Sequence, residues 1–287
     1  MRTRMAPTPS GLLHIGNGAA FVLAWQLARE ARGKLLLRID DLDSGRTRPE
    51  YVQDIFDTLA WLGIDWDEGP RDASELAGEW SQHRRLADYH KLLGTLRSGG
   101  HLYACGCSRS QIIGRGAGME YDGHCRNLES DLDAPDVAWR LRLPEAGTVA
   151  LREWPTGAVR WLALDQPDPV LRQRNGQPAY QVASLADDVR FGIDLVVRGS
   201  DLLPSTAVQC HMAELLGLGK FNQALFLHHP LVLDEAGHKR SKSHGAGSLR
   251  AAREAGMDPR EVHRLAGVLL QEAWHASTAS GAGGEGQ

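Results

Sequence analysis

Apolar positions recur along the chain in two rhythms, short compact runs and helical stripes. The residues around Arg2–Ala6 read as an extended segment. Beyond them, Ala20, Leu23, Ala24, Leu27 and Ala28 fall on one stripe, which predicts a helix from about His14 to Arg32. "KLLLRI" (Lys34–Ile39) is a compact apolar run containing an arginine, the pattern of a buried strand. Pro49 opens a helix with Val52, Ile55, Phe56, Leu59, Ala60 and Leu62 on its inner face, ending at Gly63. A further amphipathic helix is predicted from about Ser81 to Arg97. Strand, helix, strand, helix at this spacing predicts an α/β fold on a parallel sheet.

The rhythm changes between about Tyr103 and Arg174. A cysteine-rich loop is followed by short extended segments, "AWRLRL" and "AVRWLAL", as expected of an insertion. Alternation returns from Ala179 with "AYQVASLADDVRFG", then "IDLVVRG", then a helix over Pro204–Leu216. The Gly/Ala/Ser-rich tail "ASTASGAGGEGQ" is expected to be disordered.

Composition narrows the classes. The 287 residues are 42% apolar and 24% charged, enough for a sizeable core. No apolar run is long enough to span a membrane, and the N-terminus lacks a secretory pattern, so a cytoplasmic location is expected. Four cysteines do not make a disulfide scaffold at this length. The net charge of −4 excludes a uniformly basic surface but leaves room for a local basic face toward nucleic acid.

Three stretches carry candidate chemistry. In "RMAPTPSGLLHIGN", Pro7 and Pro9 exclude helix, and Ser10–Gly11 favours a turn. The helix that follows would offer backbone N–H groups to a phosphate, with His14 and Asn17 adding side-chain donors and Gly16 allowing close approach. The plain alternative is a strand-to-helix corner with a surface histidine. In "GHKRSKSHGAGS", Lys239, Arg240 and Lys242 crowd a glycine-flanked loop and suit a polyphosphate. Taken alone, this reads better as a solvated basic loop. In "YACGCSRSQIIGRGAGMEYDGHCR", Cys105, Cys107 and Cys125 cluster in sequence. They fit either zinc or three reduced thiols, and spacing leaves His101, His124 or Tyr121 as the fourth ligand. Cys210 lies on an apolar helical face and reads as core.

Together these stretches resemble class I aminoacyl-tRNA synthetases, whose paired signatures are matched by "HIGN" and "KRSKS". "LLLRIDDLDSGR", "LGIDWDEGP" and "YQVASLADDVRFGIDLVVRGSDLL" follow in the order of a glutamyl-tRNA synthetase catalytic domain. The resemblance covers nearly the whole chain except its tail. It implies a Rossmann-like parallel sheet with helices on both faces, interrupted by an α+β insertion carrying a small zinc loop. The expected division is 1–102 and 177–230 for the two catalytic halves and 103–176 for the insertion. Residues 231–275 would hold the KRSKS loop and C-terminal helices, and 276–287 the tail. The cysteine loop and the short region after KRSKS resemble one branch of the family, truncated paralogues without an anticodon-reading domain. That branch forms glutamyl-adenylate from ATP and L-glutamate without tRNA, then esterifies the cyclopentenediol of queuosine in the tRNA(Asp) anticodon. The alternatives are the catalytic half of a conventional glutamyl-tRNA synthetase and a non-catalytic tRNA-binding paralogue. A monomer is expected.

The resemblance also assigns roles. His14, Asn17, Lys239 and Lys242 would serve catalysis, with His14, Gly16 and Lys242 on ATP and magnesium sharing its charge. Arg4, Met5, Ala6, Pro7, Thr8, Asp40, Tyr180 and Arg198 would hold glutamate. The two arginines would take its carboxylates and Asp40 its ammonium. Cys105, Cys107, Cys125 and Tyr121 would bind one structural zinc. Two positions depart from the family pattern: Asp40 stands where Glu is common, and Asn17 replaces the last His of the signature.

Overall fold

The computed structural model describes residues 1–116, 120–232 and 247–281, with side chains to residue 275. Its strands are β1 (Arg2–Met5), β2 (Lys34–Leu37), β3 (Leu102–Cys105), β4 (Ala138–Leu141), β5 (Thr148–Glu153), β6 (Ala158–Ala163), β7 (Val170–Arg172), β8 (Leu195–Gly199) and β9 (Leu225–His229). The principal helices are α1 (Ile15–Glu30), α2 (Pro49–Trp61), α3 (Leu86–Ser98), α4 (Tyr180–Arg190), α5 (Leu203–Leu215) and α6 (Pro259–Gly281).

The main sheet runs in the order β2-β1-β8-β9-β5-β6. Its first five strands are parallel, and β6 returns antiparallel as the edge. Buried apolar residues follow from this plan. Leu35, Leu37, Leu195, Val197 and Leu227 face a core shared with α1, α2 and α6. Leu36, Val196 and Phe226 face a second core shared with α3, α4 and α5. The sheet is thus covered on both faces, as the compact strand runs require.

The hairpin β5–β6 lies within the span expected as insertion, yet it extends the main sheet through β5 pairing with β9. A separate small sheet, β3-β4-β7, carries the cysteine loop. In the Gly/Ala/Ser-rich tail, α6 continues to Gly281, and residues 282–287 lie outside the described residues. Ala, Ser and Thr extend a helix already anchored by apolar residues upstream; the glycine cluster follows. No described helix is long and apolar enough to cross a membrane.

Candidate active site and cysteine loop

The functional residues gather at the C-terminal ends of β1, β2, β8 and β9, where a parallel sheet presents ligand crevices. Two cavities open there. One, of about 360 Å³, is lined by Thr8, Asp40, Gln82, Gln173, Gln177 and Tyr180, among others. The other, of about 210 Å³, is lined by His14, Gly16, Asn17, Gly199, Asp201 and His229, among others.

The smaller cavity sits at the start of α1. His14 is the N-cap: its Nδ1 accepts from the backbone N–H of Asn17 at 3.3 Å. Asn17 reciprocates, its Oδ1 accepting from the backbone N–H of His14 at 3.1 Å. This capping box turns both residues toward their own helix and fixes the imidazole tautomer, so Nε2 carries the proton. Gly16 leaves room beside the imidazole: a Cβ there would lie 3.1 Å from the His14 ring and press on it. Lys239 and Lys242 fall outside the described residues.

The larger cavity is backed by a buried ionic network. Arg38 is bidentate to Asp40, at 2.6 and 3.0 Å, and donates to Asp188 at 2.7 Å. Asp188 also accepts from Arg4 Nε at 2.9 Å. Gln82 Nε2 donates to Asp40 at 3.4 Å and to Asp187 at 3.0 Å. Asp187 is held by both branches of Arg85, at 2.7 and 2.9 Å, and by the Tyr89 hydroxyl at 2.9 Å. Burial pushes the Asp40 carboxyl up to about 6 against the opposing charge of Arg38. Burial also acts on Asp188, but Arg4 and Arg38 outweigh it and hold that carboxyl below its usual value.

Of the residues expected to hold glutamate, Thr8, Asp40 and Tyr180 line the cavity. Met5 and Pro7 are buried and serve as backbone frame: Met5 O accepts from Arg38 N–H at 2.9 Å and Pro7 O from Asp40 N–H at 2.8 Å. Ala6 lies between them. Arg4 is committed to Asp188. Arg198 differs: one terminal nitrogen donates to Gln209 Oε1 at 2.9 Å, while Nε and the other terminal nitrogen have no hydrogen-bond partner among the described residues. Gln209 Nε2 likewise has none among them. A guanidinium that is only 5% exposed and keeps two open donors calls for an anion. Burial pulls its pKa down from the ordinary arginine value.

Sequence reasoning missed Arg38, Gln82, Asp187, Asp188 and Gln209. Two signals were present: an arginine inside an apolar strand run, and adjacent aspartates on the inner face of a helix. Both are costly to bury singly and so imply each other.

In the cysteine loop, the sulfurs of Cys105, Cys107 and Cys125 lie within 4.8 Å of one another, a set able to hold one metal ion. The Tyr121 hydroxyl accepts from the backbone N–H of Cys125 at 2.8 Å and packs in one buried cluster with Cys105 and Cys125. The Arg140 guanidinium lies 3.6 Å from the centre of the Tyr121 ring. His124 is exposed and outside the cluster. Burial acts to raise the Cys105 thiol, yet Arg140 and backbone N–H donation bring it below its ordinary value. Burial and neighbouring Cys125 push Cys107 up to about 11.

Residues 1–271 match the family model of "tRNA synthetases class I (E and Q), catalytic domain". The chain belongs to this family. A glutamyl-Q tRNA(Asp) synthetase of Nitratidesulfovibrio vulgaris is 40% identical over 90% of the chain, which covers 82% of that relative. A glutamate--tRNA ligase 2 of Syntrophus aciditrophicus is 37% identical over 93% of the chain, which covers 57% of that protein. The crystal structure of a glutamate-tRNA synthetase from Elizabethkingia anophelis superposes with a TM-score of 0.71 at 25% identity, over 89% of this chain and 54% of that one. The chain therefore spans a little over half the length of these two glutamate enzymes. As a class I synthetase catalytic domain, it is an aminoacyl-tRNA ligase built on the two-cavity sheet edge described above.

Proposed function

We propose that the chain activates L-glutamate with ATP and transfers it to queuosine in the anticodon of tRNA(Asp). One observation carries the amino-acid assignment: among the described residues Arg198 keeps two open, buried donors, and it lies within electrostatic reach of Tyr180, which lines the larger cavity together with Asp40. An acid bearing an ammonium group satisfies both ends, the carboxylate on the arginine and the ammonium on Asp40.

The α-carboxylate attacks the α-phosphorus of ATP in line and pyrophosphate leaves. Positioning and charge stabilisation then dominate the barrier. The N-terminus of α1 and the Nε2–H of His14 would hold the phosphates. Lys242, assisted by Lys239, would neutralise the departing pyrophosphate, with magnesium sharing that load. In the second step an acceptor hydroxyl attacks the mixed anhydride and AMP leaves. One zinc ion would sit on Cys105, Cys107, Cys125 and Tyr121, adding a covalent tie to a loop whose own buried cluster is small.

Queuosine as acceptor is supported by the relative named for it, the more similar of the two curated relatives described. Transfer to a tRNA 3′ end is the second reading, supported by the glutamate--tRNA ligase likeness. Labelled glutamate, ATP and tRNA(Asp) with and without queuosine separate the two. Label on the anticodon fragment of queuosine-containing tRNA alone supports the proposal; label on the 3′ adenosine overturns it. Glutamate-dependent ATP–pyrophosphate exchange is expected without any tRNA.

A further inference from the structure

In the small sheet, β4 pairs antiparallel with both β3 and β7. Cys105 at the end of β3 stands opposite Ala138, and Arg172 at the end of β7 opposite Trp139. The cysteine loop and the turn after β7 therefore leave the same end of the sheet, on either side of the start of β4.

That turn is tightly closed. Gln173 N–H donates to Gln177 O at 2.8 Å and Gly176 N–H to Gln173 O at 2.9 Å. Gly176, at φ 86°, occupies the left-handed region the closure needs. From within the turn, Arg174 reaches the cysteine loop: Nη2 donates to Gly106 O at 2.6 Å and Nη1 to Asp136 at 3.3 Å. Gly106 is the single residue between Cys105 and Cys107. The ends of the same turn, Gln173 and Gln177, line the larger cavity, and Gln177 Nε2 is pinned to Leu42 O.

The geometry points to Arg174 as a positioning residue, the strut by which the cysteine loop holds the Gln173–Gln177 wall in place for the acceptor nucleoside. This rests on the proposed function, which requires a second substrate to enter beside the activated glutamate. A neutral wall of two glutamines offers donors and acceptors together, suited to hydroxyls and base edges more than to a carboxylate. The groups that serve adenylate formation are mostly anchored elsewhere: His14 at the start of α1, Arg198 in β8, and Asp40 by Arg38 and Gln82; Tyr180 alone follows the turn directly. The strut and the metal that orders Gly106 would therefore act on transfer and leave activation alone.

The test uses the zinc-loaded full chain with Arg174→Met and Arg174→Lys. Two reactions are followed: glutamate-dependent ATP–pyrophosphate exchange, and transfer to the tRNA that the unaltered chain accepts. For Arg174→Met, exchange should stay within about twofold while the KM for tRNA rises about tenfold, with kcat changed less. Arg174→Lys, which keeps a donor for Gly106 O, should recover most of the loss. Amide hydrogen exchange over residues 173–177 should quicken in Arg174→Met, and in the unaltered chain stripped of metal, with no further change when the Met variant is stripped. Unchanged transfer in Arg174→Met overturns the proposal. So does a joint fall of exchange and transfer, or a turn whose amides ignore metal removal. An unaltered chain that activates no glutamate defeats the proposed function instead, and the amide measurement then decides on the strut alone.

Discussion

Arg198 and Gln209 share one hydrogen bond of 2.9 Å, and that bond leaves two nitrogens of the buried guanidinium without a partner among the described residues. A charge kept in this state is costly to the fold and useful to a ligand. Arg198→Met should therefore raise the glutamate KM about a hundredfold, since charge-assisted hydrogen bonds contribute roughly 1.5–3 kcal/mol each. The same variant should unfold at the same temperature or higher. Pyrophosphate exchange and thermal denaturation check the two halves, and loss of stability in step with activity would make Arg198 a structural residue.

Asp187 behaves in the opposite way. It is fully buried and engages Arg85, Tyr89 and Gln82 at once. Asp187→Ala leaves Arg85 buried without its carboxylate. The expected loss is about 3–5 kcal/mol of stability, measured by urea denaturation.

Asp40 gives a pH signature with two signs. Its folded pKa of about 6 lies above the ordinary carboxyl value, so the folded chain binds this proton more tightly than the unfolded one. Its contribution to stability is therefore present at low pH and lost as pH rises through about 6. Glutamate binding runs the other way, because the ammonium needs the carboxylate. The glutamate KM should climb as pH falls below about 6, approaching tenfold per unit. Asp40→Asn should give a high KM with no such climb.

These contrasts show what the sequence could reveal. Strand runs and helical stripes located the main elements because apolar period depends only on which face is buried. His14, Asp40, Tyr180 and Arg198 were singled out from ordered motifs, and the structure places the first three on the two cavities. The partners of those residues were not. Arg4 and Arg38 both meet Asp188, across separations set by the strand order. The strand order places β8 beside β1, which local pattern does not encode. The β5–β6 hairpin was hidden for the same reason, since its pairing with β9 joins residues about seventy positions apart.

Lys242 lies outside the described residues, and its expected role comes from the resemblance. Lys242→Ala should slow adenylate formation by about 2.7–4 kcal/mol in the barrier, the typical effect of losing one charge-stabilising donor. Pre-steady-state release of pyrophosphate measures it, with circular dichroism to confirm an unaltered fold. An unchanged rate removes the basic loop from the mechanism.

Tyr121 provides the last test, because an unusual ligand must be shown apart from its packing. Its hydroxyl accepts from the backbone of Cys125, while Arg140 lies against its ring. Burial raises its pKa above the ordinary phenol value, so only a bound cation's charge would draw the phenolate out near neutral pH. Protein purified without added zinc should carry one zinc per chain. Tyr121→Phe keeps the ring and the three thiols and removes one oxygen. It should weaken zinc binding by more than about tenfold, the scale seen when outer partners of a ligand are lost. His124→Ala should leave affinity unchanged, since that side chain is exposed. A competition titration with a chromogenic chelator reads both variants. Full affinity in Tyr121→Phe together with loss in His124→Ala would transfer the fourth position to the histidine.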